Sequence, residues 1–496
     1  MRGPGHGQQA SHRQQCTEKG LRHPPKPYQH CSGRQVAGGK MRVVALVTAC
    51  AVFLANVSAS GAMPAAAQTA EAPSREKIVE TWAKAHLPAV KAAIVAKDPA
   101  ATAAHLRAAA TELAPLSDGD ISSLLIGGAD GFLGDGDNAS ALAIGEAALA
   151  WSRQAKLGPG NQFDALGRTG AARYFMADYA GAARDMGESV ERAREIAPYD
   201  ANAVANAISN YAVVLDANGR YRESEAALQD AVKLRLSAEP RRPEGVATAH
   251  AALAAVQKRI GRFDLAEGNY RASLETLEAA GRTETPAYAR VLHNYAVFLS
   301  DEGRDAEAVP LYRRVLALVP AEKRLNPNMI PDHSALASAL LAIGALDEAE
   351  VAIGDAIRIA EKLEKPNSDV GPAFANRAGI REARGDVAGA EADYRHALAV
   401  DRQINGGGAH LDIPIDLMRL SSLLRRNGRA AEAETLSAEA VQLIDAIPAR
   451  NPRRAVVLDE RAAILAVLER REEALAASRA ASELLAERFE LDRDRD

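Results

Sequence analysis

The chain has 496 residues, 47% of them apolar but only 4% aromatic, with alanine conspicuous among them. So much apolar content excludes a chain disordered throughout, and a core of alanine and leucine with few rings favours packed helices over β-sandwiches. The net charge of −5 is uneven: residues 1–67 hold eight Lys/Arg against one Glu, and the remainder holds 52 basic against 64 acidic side chains. An acidic body lacks the basic surface that binds nucleic acid.

Residues 1–40 are basic, rich in Gly, Gln, His and Pro and nearly free of apolar side chains. They are expected to be disordered, a start-site artefact ahead of a true start at Met41. Met41 and Arg42 precede the 13-residue apolar run Val43–Ala55 and a stretch of small residues. This reads as a signal peptide over 41–67, cleaved after Ala59 or Ala67; the run is too short for a comfortable membrane span. Within it, Val47-Thr48-Ala49-Cys50 resembles a bacterial lipobox, which would place a lipid on Cys50. Cys16, Cys31 and Cys50 all precede residue 68, so the body offers no disulfide, thiolate metal site or cysteine nucleophile. Residues 68–75 read as a linker and 76–114 as an N-terminal capping hairpin, broken at Lys97-Asp98-Pro99.

From residue 115 to 488 the sequence repeats itself. NYAVVLDANGRYRESEAALQDAV (Asn210 to Val232) returns 42 residues later as ALAAVQKRIGRFDLAEGNYRASL, and 42 later again as NYAVFLSDEGRDAEAVPLYRRVL. A turn residue punctuates each unit: Gly136, Ala177, Gly219, Gly261, Gly303, Gly344, Gly385, Gly428 and Glu469, spaced 41 to 43 apart. Columns seven before, five after and twelve after the turn hold Ala, Gly or Ser at 26 of 27 positions, Val315 being the exception. Helices whose axes approach to about 8 Å require small side chains where they cross. Glycine lets the chain leave the first helix through the left-handed region. Prolines such as Pro243, Pro286, Pro331, Pro372 and Pro414 sit in the longer loops, where they stop one helix or open the next. Larger residues are expected to fill the space beside the crossing: Leu215 with Leu228, Phe263 with Tyr270, Leu299 with Tyr312. Pro310 falls inside a second helix. The expected fold is all-α, about nine antiparallel helix pairs without a strand, ending in a disordered tail at 489–496.

These columns resemble the tetratricopeptide repeat family, and the 42-residue period resembles its kinesin-light-chain variety. The resemblance implies a right-handed superhelical solenoid whose first helices line a concave groove. It also implies that the position two before the first small column faces that groove: Asn210, Ala252, Asn294, Ala335 and Asn376 in successive repeats. Asparagines there hydrogen-bond the backbone of an extended peptide in such arrays, an amide being both donor and acceptor. Asn206 and Arg290 stand four residues earlier. Arg259 and Arg426 occupy another groove-facing position, suited to an acidic group. The pair Asn206 and Asn210 does not match the family's carboxylate clamp, which places a basic residue four before the Asn. The glycine-rich first unit and the last unit, without its turn glycine, fit capping repeats.

No phosphate-binding loop, H-E-x-x-H or G-x-S-x-G occurs. Asp135 to Glu146 echoes a calcium loop but has Ala139 and Ser140 where a ligand and a glycine are needed, so it reads as a polar turn. His105, His250, His293, His333, His396 and His410 are scattered and read as solvated or packed. Glu472-Glu473 and Arg453-Arg454 read as solvated helix faces. No cofactor or metal is expected. The expected function is a non-enzymatic exported scaffold or adaptor of the bacterial envelope that binds a protein or peptide, with membrane contact only through the leader. The alternatives are a lipid-anchored envelope assembly factor, or an enzyme whose site is assembled between repeats.

Overall fold

The computed structural model describes residues 117–493 apart from 197–199, 406–410 and 447–452, together with isolated positions between 89 and 105. The proposed leader with Cys50 lies outside the described residues, as do the linker, most of the capping hairpin and the end of the tail.

Eighteen α-helices and two short 3-10 turns make up the regular structure among the described residues, with no strand. Consecutive helices pair into nine hairpins. The first four are α1 (Asp118–Gly134) with α2 (Asn138–Gln154), α3 (Pro159–Phe175) with α4 (Tyr179–Ile196), α5 (Ala201–Ala217) with α6 (Tyr221–Ser237), and α7 (Pro243–Arg259) with α8 (Phe263–Ala279). Then come α9 (Pro286–Asp301) with α10 (Asp305–Leu318), and α11 (Ile330–Ala342) with α12 (Leu346–Ala360). The last three are α13 (Val370–Ala383) with α14 (Val387–Asn405), α15 (Asp412–Arg426) with α16 (Ala430–Asp445), and α17 (Arg453–Val467) with α18 (Arg471–Arg493). The chain divides into two compact units, one ending at Thr276 and the other running from Leu277. The uniform period gives no sign of that division.

All nine turn residues have positive φ, from 60° at Glu469 to 81° at Gly385. In each, the next backbone N–H donates to the carbonyl five residues back, as Arg220 does to Leu215 and Arg304 to Leu299, both at 2.8 Å. This bond closes the first helix and turns the chain into the second. Glycine meets the geometry without a clash; Ala177 and Glu469 carry a Cβ into it. An arginine often follows. Arg220, Arg304, Arg429 and Arg470 each pair with a glutamate three residues on, and Arg429 and Arg470 also reach back to Glu391 and Glu434 of the preceding hairpin. Such exposed pairs contribute little singly, about 0–1 kcal/mol.

All 27 positions of the small columns are buried. Gly170 shows why: a Cβ there would lie 2.8 Å from Met186 Cγ on the facing helix. Where serine replaces alanine, its hydroxyl bonds a carbonyl: across the hairpin from Ser224 Oγ to Ala212 at 2.8 Å and from Ser273 Oγ to Ala247 at 2.6 Å, and within its own helix from Ser421 Oγ to Met418 at 2.8 Å. Leu215, Leu228, Leu299 and Tyr312 fill the core as expected, but Phe263 is 43% exposed. It is the first residue of α8, ahead of the point where the helices meet. Pro243 and Pro286 open their helices, and α10 continues past Pro310 to Leu318. In the calcium-like stretch, Asp137 caps α2 by accepting from the Ser140 backbone N–H at 3.2 Å, and Glu146 pairs with Arg173 at 2.8 Å. Arg453 departs from the solvated reading: its side chain is 14% exposed and lies 3.5 Å from Asp412.

Candidate peptide-binding surface

In the first unit, α5 presents Asn210 half-buried. It lines a shallow cleft with Ala171, Tyr174, Phe175, Met186, Val213 and Val214. Phe175 and Met176 are 45% and 48% exposed, a large apolar display for the end of a helix. Tyr174 holds the patch together, meeting the rings of Phe175 and Tyr179 edge-on at 5.6 Å. Burial pushes the Tyr174 hydroxyl above its ordinary value, helped by Tyr179 and Asp216 and opposed by Arg259. Arg259 is 3.4 Å from Asp216, whose carboxyl burial raises above the usual range despite that cation. Asn206 has a different employment. Its Oδ1 accepts from Arg235 Nη2 at 2.7 Å, and Arg235 packs so tightly on α7 that a Cβ on Gly245 would lie 2.4 Å from Nη1. Burial depresses the Arg235 guanidinium, so Asn206 serves to satisfy a buried cation.

In the second unit, α9, α10 and the start of α11 enclose a cleft of about 300 Å³. Arg290 and His293 of α9 and Asp332 of α11 supply its polar wall, over Val315, Val319, Met329 and Pro331. His293 Nδ1 lies 2.6 Å from Asp332 Oδ1; opposite an ionised carboxylate that nitrogen carries the proton. The Tyr312 ring meets the imidazole edge-on at 5.9 Å. Asn294, also on α9, is half-buried. Asn376 Nδ2 donates to the Ser334 carbonyl at 3.4 Å, linking α13 to α11. Arg426 pairs with Glu382 at 2.9 Å.

The seven residues read from the sequence therefore divide. Asn206, Asn376, Arg259 and Arg426 already have partners within their own units. Asn210 and Asn294 share one register position and have no hydrogen-bond partner among the described residues. Arg290 stands in the wall of a cleft. The sequence missed His293 and Asp332 as a pair, since 39 residues separate them and neither spacing nor composition joins them. The other histidines are less engaged in clefts: His250 bonds Asn269 at 2.7 Å, and His396 lies against the Phe374 ring at 4.1 Å between centroids.

Antiparallel hairpins locked at small-residue crossings define a helical-repeat protein. Residues 245–321 match the family model described as tetratricopeptide repeat. No curated protein matches it. Among solved structures, it is similar to the apo form of the quorum sensor NprR from B. thuringiensis, at 13% identity and TM-score 0.51, covering 74% of this chain and 99% of that one. It is also similar to BtubC from P. vanneervenii, at 23% identity and TM-score 0.42, covering 45% and 91%. A third is a putative kinesin light chain with nearly identical TPR-like repeats from Podosopora anserina, at 18% identity and TM-score 0.27, covering 50% and 97%.

Proposed function

We propose that this protein is a non-enzymatic adaptor, exported to the bacterial envelope, that binds extended segments of a protein or peptide on the face bearing Asn210 in one unit and on the face bearing Asn294 in the other. The observation that carries the reading is the pair of half-buried amides at one register position, both without an internal partner among the described residues. An amide so placed can meet both the N–H and the C=O of a ligand backbone. Asn210 adjoins an exposed aromatic patch and Asn294 shares its helix with the wall of a cleft, so apolar side chains of the ligand have seats beside the amides. Affinity then comes from apolar contact, and register from the amides.

Crosslinking in the native host identifies the ligand; the double variant Asn210→Ala, Asn294→Ala then tests the site. Capture is expected to fall about tenfold, the cost of losing one or two hydrogen bonds of about 1 kcal/mol each, with an unchanged helical circular-dichroism spectrum. Undiminished capture refutes the site. Export is tested separately, by recovering the native protein from the periplasmic fraction.

A further inference from the structure

Arg235, near the end of α6, is 6% exposed and keeps its charge, since a guanidinium does not deprotonate in a protein. Among the described residues it forms no ion pair; its one hydrogen bond runs from Nη2 to Asn206 Oδ1 at 2.7 Å. Nε is buried without a partner. An amide oxygen satisfies one donor but supplies no charge, and a cation cut off from water without an anion is costly. The surroundings raise that cost. Nη1 lies against Gly245, where a Cβ would fall 2.4 Å from it. Gly245 is the third residue of α7, so the guanidinium is set at the positive end of a 17-residue helix. Arg242 stands at the cap position of that helix, makes no side-chain hydrogen bond to it and adds a further positive charge. Glu244, in the same turn, makes no ion pair with Arg235. The Val246 N–H donates to the Arg242 carbonyl at 3.1 Å, and the Gly245 N–H has no partner among the described residues. A buried cation, a helix N-terminus and an unused amide donor thus converge, and one negative group would answer all three.

We propose that Arg235 and the first turn of α7 at Gly245 form a binding site for a single oxyanion, a carboxylate or a phosphate, with Asn206 at its edge. Asn206 is exposed and stands one turn before Asn210 on α5. An acidic group on the segment held at Asn210 is therefore the source this site is suited to. That source rests on the peptide-binding reading; the site itself does not. The two fail separately, because the site is probed with free anions and the peptide face by capture with the Asn210 and Asn294 amides removed.

Amide hydrogen exchange on the full chain tests the site, with inorganic phosphate or acetate added against chloride at matched pH and ionic strength. The end of α6 and the first turn of α7 are expected to gain protection saturably, by about tenfold at ten times the half-saturating concentration. The start of α9, where Thr285 Oγ1 already accepts from the Tyr288 N–H at 3.3 Å, is expected to gain none. A gain with phosphate alone assigns a phosphate ligand, with acetate alone a carboxylate, and with both either oxyanion; each supports the site. Arg235→Met keeps the unbranched side chain, removes the charge and is expected to abolish the gain. No gain with either anion, an equal gain at α9, or an undiminished gain in Arg235→Met overturns the proposal. Should that variant fail to fold, the wild-type contrast between α7 and α9 still decides.

Discussion

The two units share one backbone plan but bury different polar groups inside it. In the first, hydroxyls and amides predominate. Ser122 and Ser152 bond each other at 2.9 Å, Ser224 and Ser273 bond carbonyls across their hairpins, and Asn269 donates to Gln257 at 2.8 Å. Among the described residues, the buried charges there are Glu225 and Arg235. The second unit buries five aspartates among the described residues: Asp301, Asp305, Asp393, Asp401 and Asp416. Asp393 is gripped by Arg377 through two bonds of 2.7 and 2.8 Å, and by Arg381 at 2.9 Å. A neutral bond survives a change of pH or the loss of its partner at modest cost. A buried carboxylate depends on its counterpart, so the same architecture is robust in one half and conditional in the other.

The most severe challenge to that contrast is Arg377→Ala. Leaving Asp393 with Arg381 alone is expected to cost about 3 kcal/mol, the low end for a broken buried pair, measured by urea unfolding of the second unit. A loss below about 1 kcal/mol would erase the distinction between the units. Next, Ala254→Leu in the first unit and Ala296→Leu in the second are each expected to cost about 2 kcal/mol, because both alanines are 0% exposed and a larger side chain overpacks the crossing. Unequal costs would show that the crossings, not only the buried polar groups, differ between the halves. Ser224→Ala is expected to cost only about 1 kcal/mol, one neutral hydrogen bond; a cost matching Arg377→Ala would defeat the comparison from its other side. Smallest is Ala177→Gly. Relief of a left-handed alanine at φ 61°, offset by the added freedom of glycine in the unfolded chain, leaves a gain of about 0.5 kcal/mol, read as a slightly raised melting temperature.

What the sequence made legible was what recurs. The turn residues and the three columns obey a spacing, and the packing of two rods leaves only small side chains and one left-handed residue as solutions there. Ala177 and Glu469 were placed by register despite lacking the expected glycine. Legibility ended where contacts depend on one side chain reaching one other. Asn206 looked like a ligand contact because of its position, and only the buried Arg235 behind it reveals its role. Asp393, Asp401 and Asp416 look in sequence like the acidic residues of any solvated helix face; their burial comes from helices packed against them, α13 in the case of Asp393 and Asp401, which no local pattern encodes. Phe263 errs in the opposite sense, an aromatic that hydrophobicity sends inward but that the helix start leaves in water.

Each turn closes its backbone hydrogen bonds within its own hairpin. A hairpin is thus a cassette. Duplicating or excising about 42 residues between equivalent turns keeps every alanine opposite its mate, whereas an insertion of any other size puts the contacts downstream out of step. Genetic change that alters the length of this protein in whole cassettes therefore preserves folding while adding or deleting stretches of display surface.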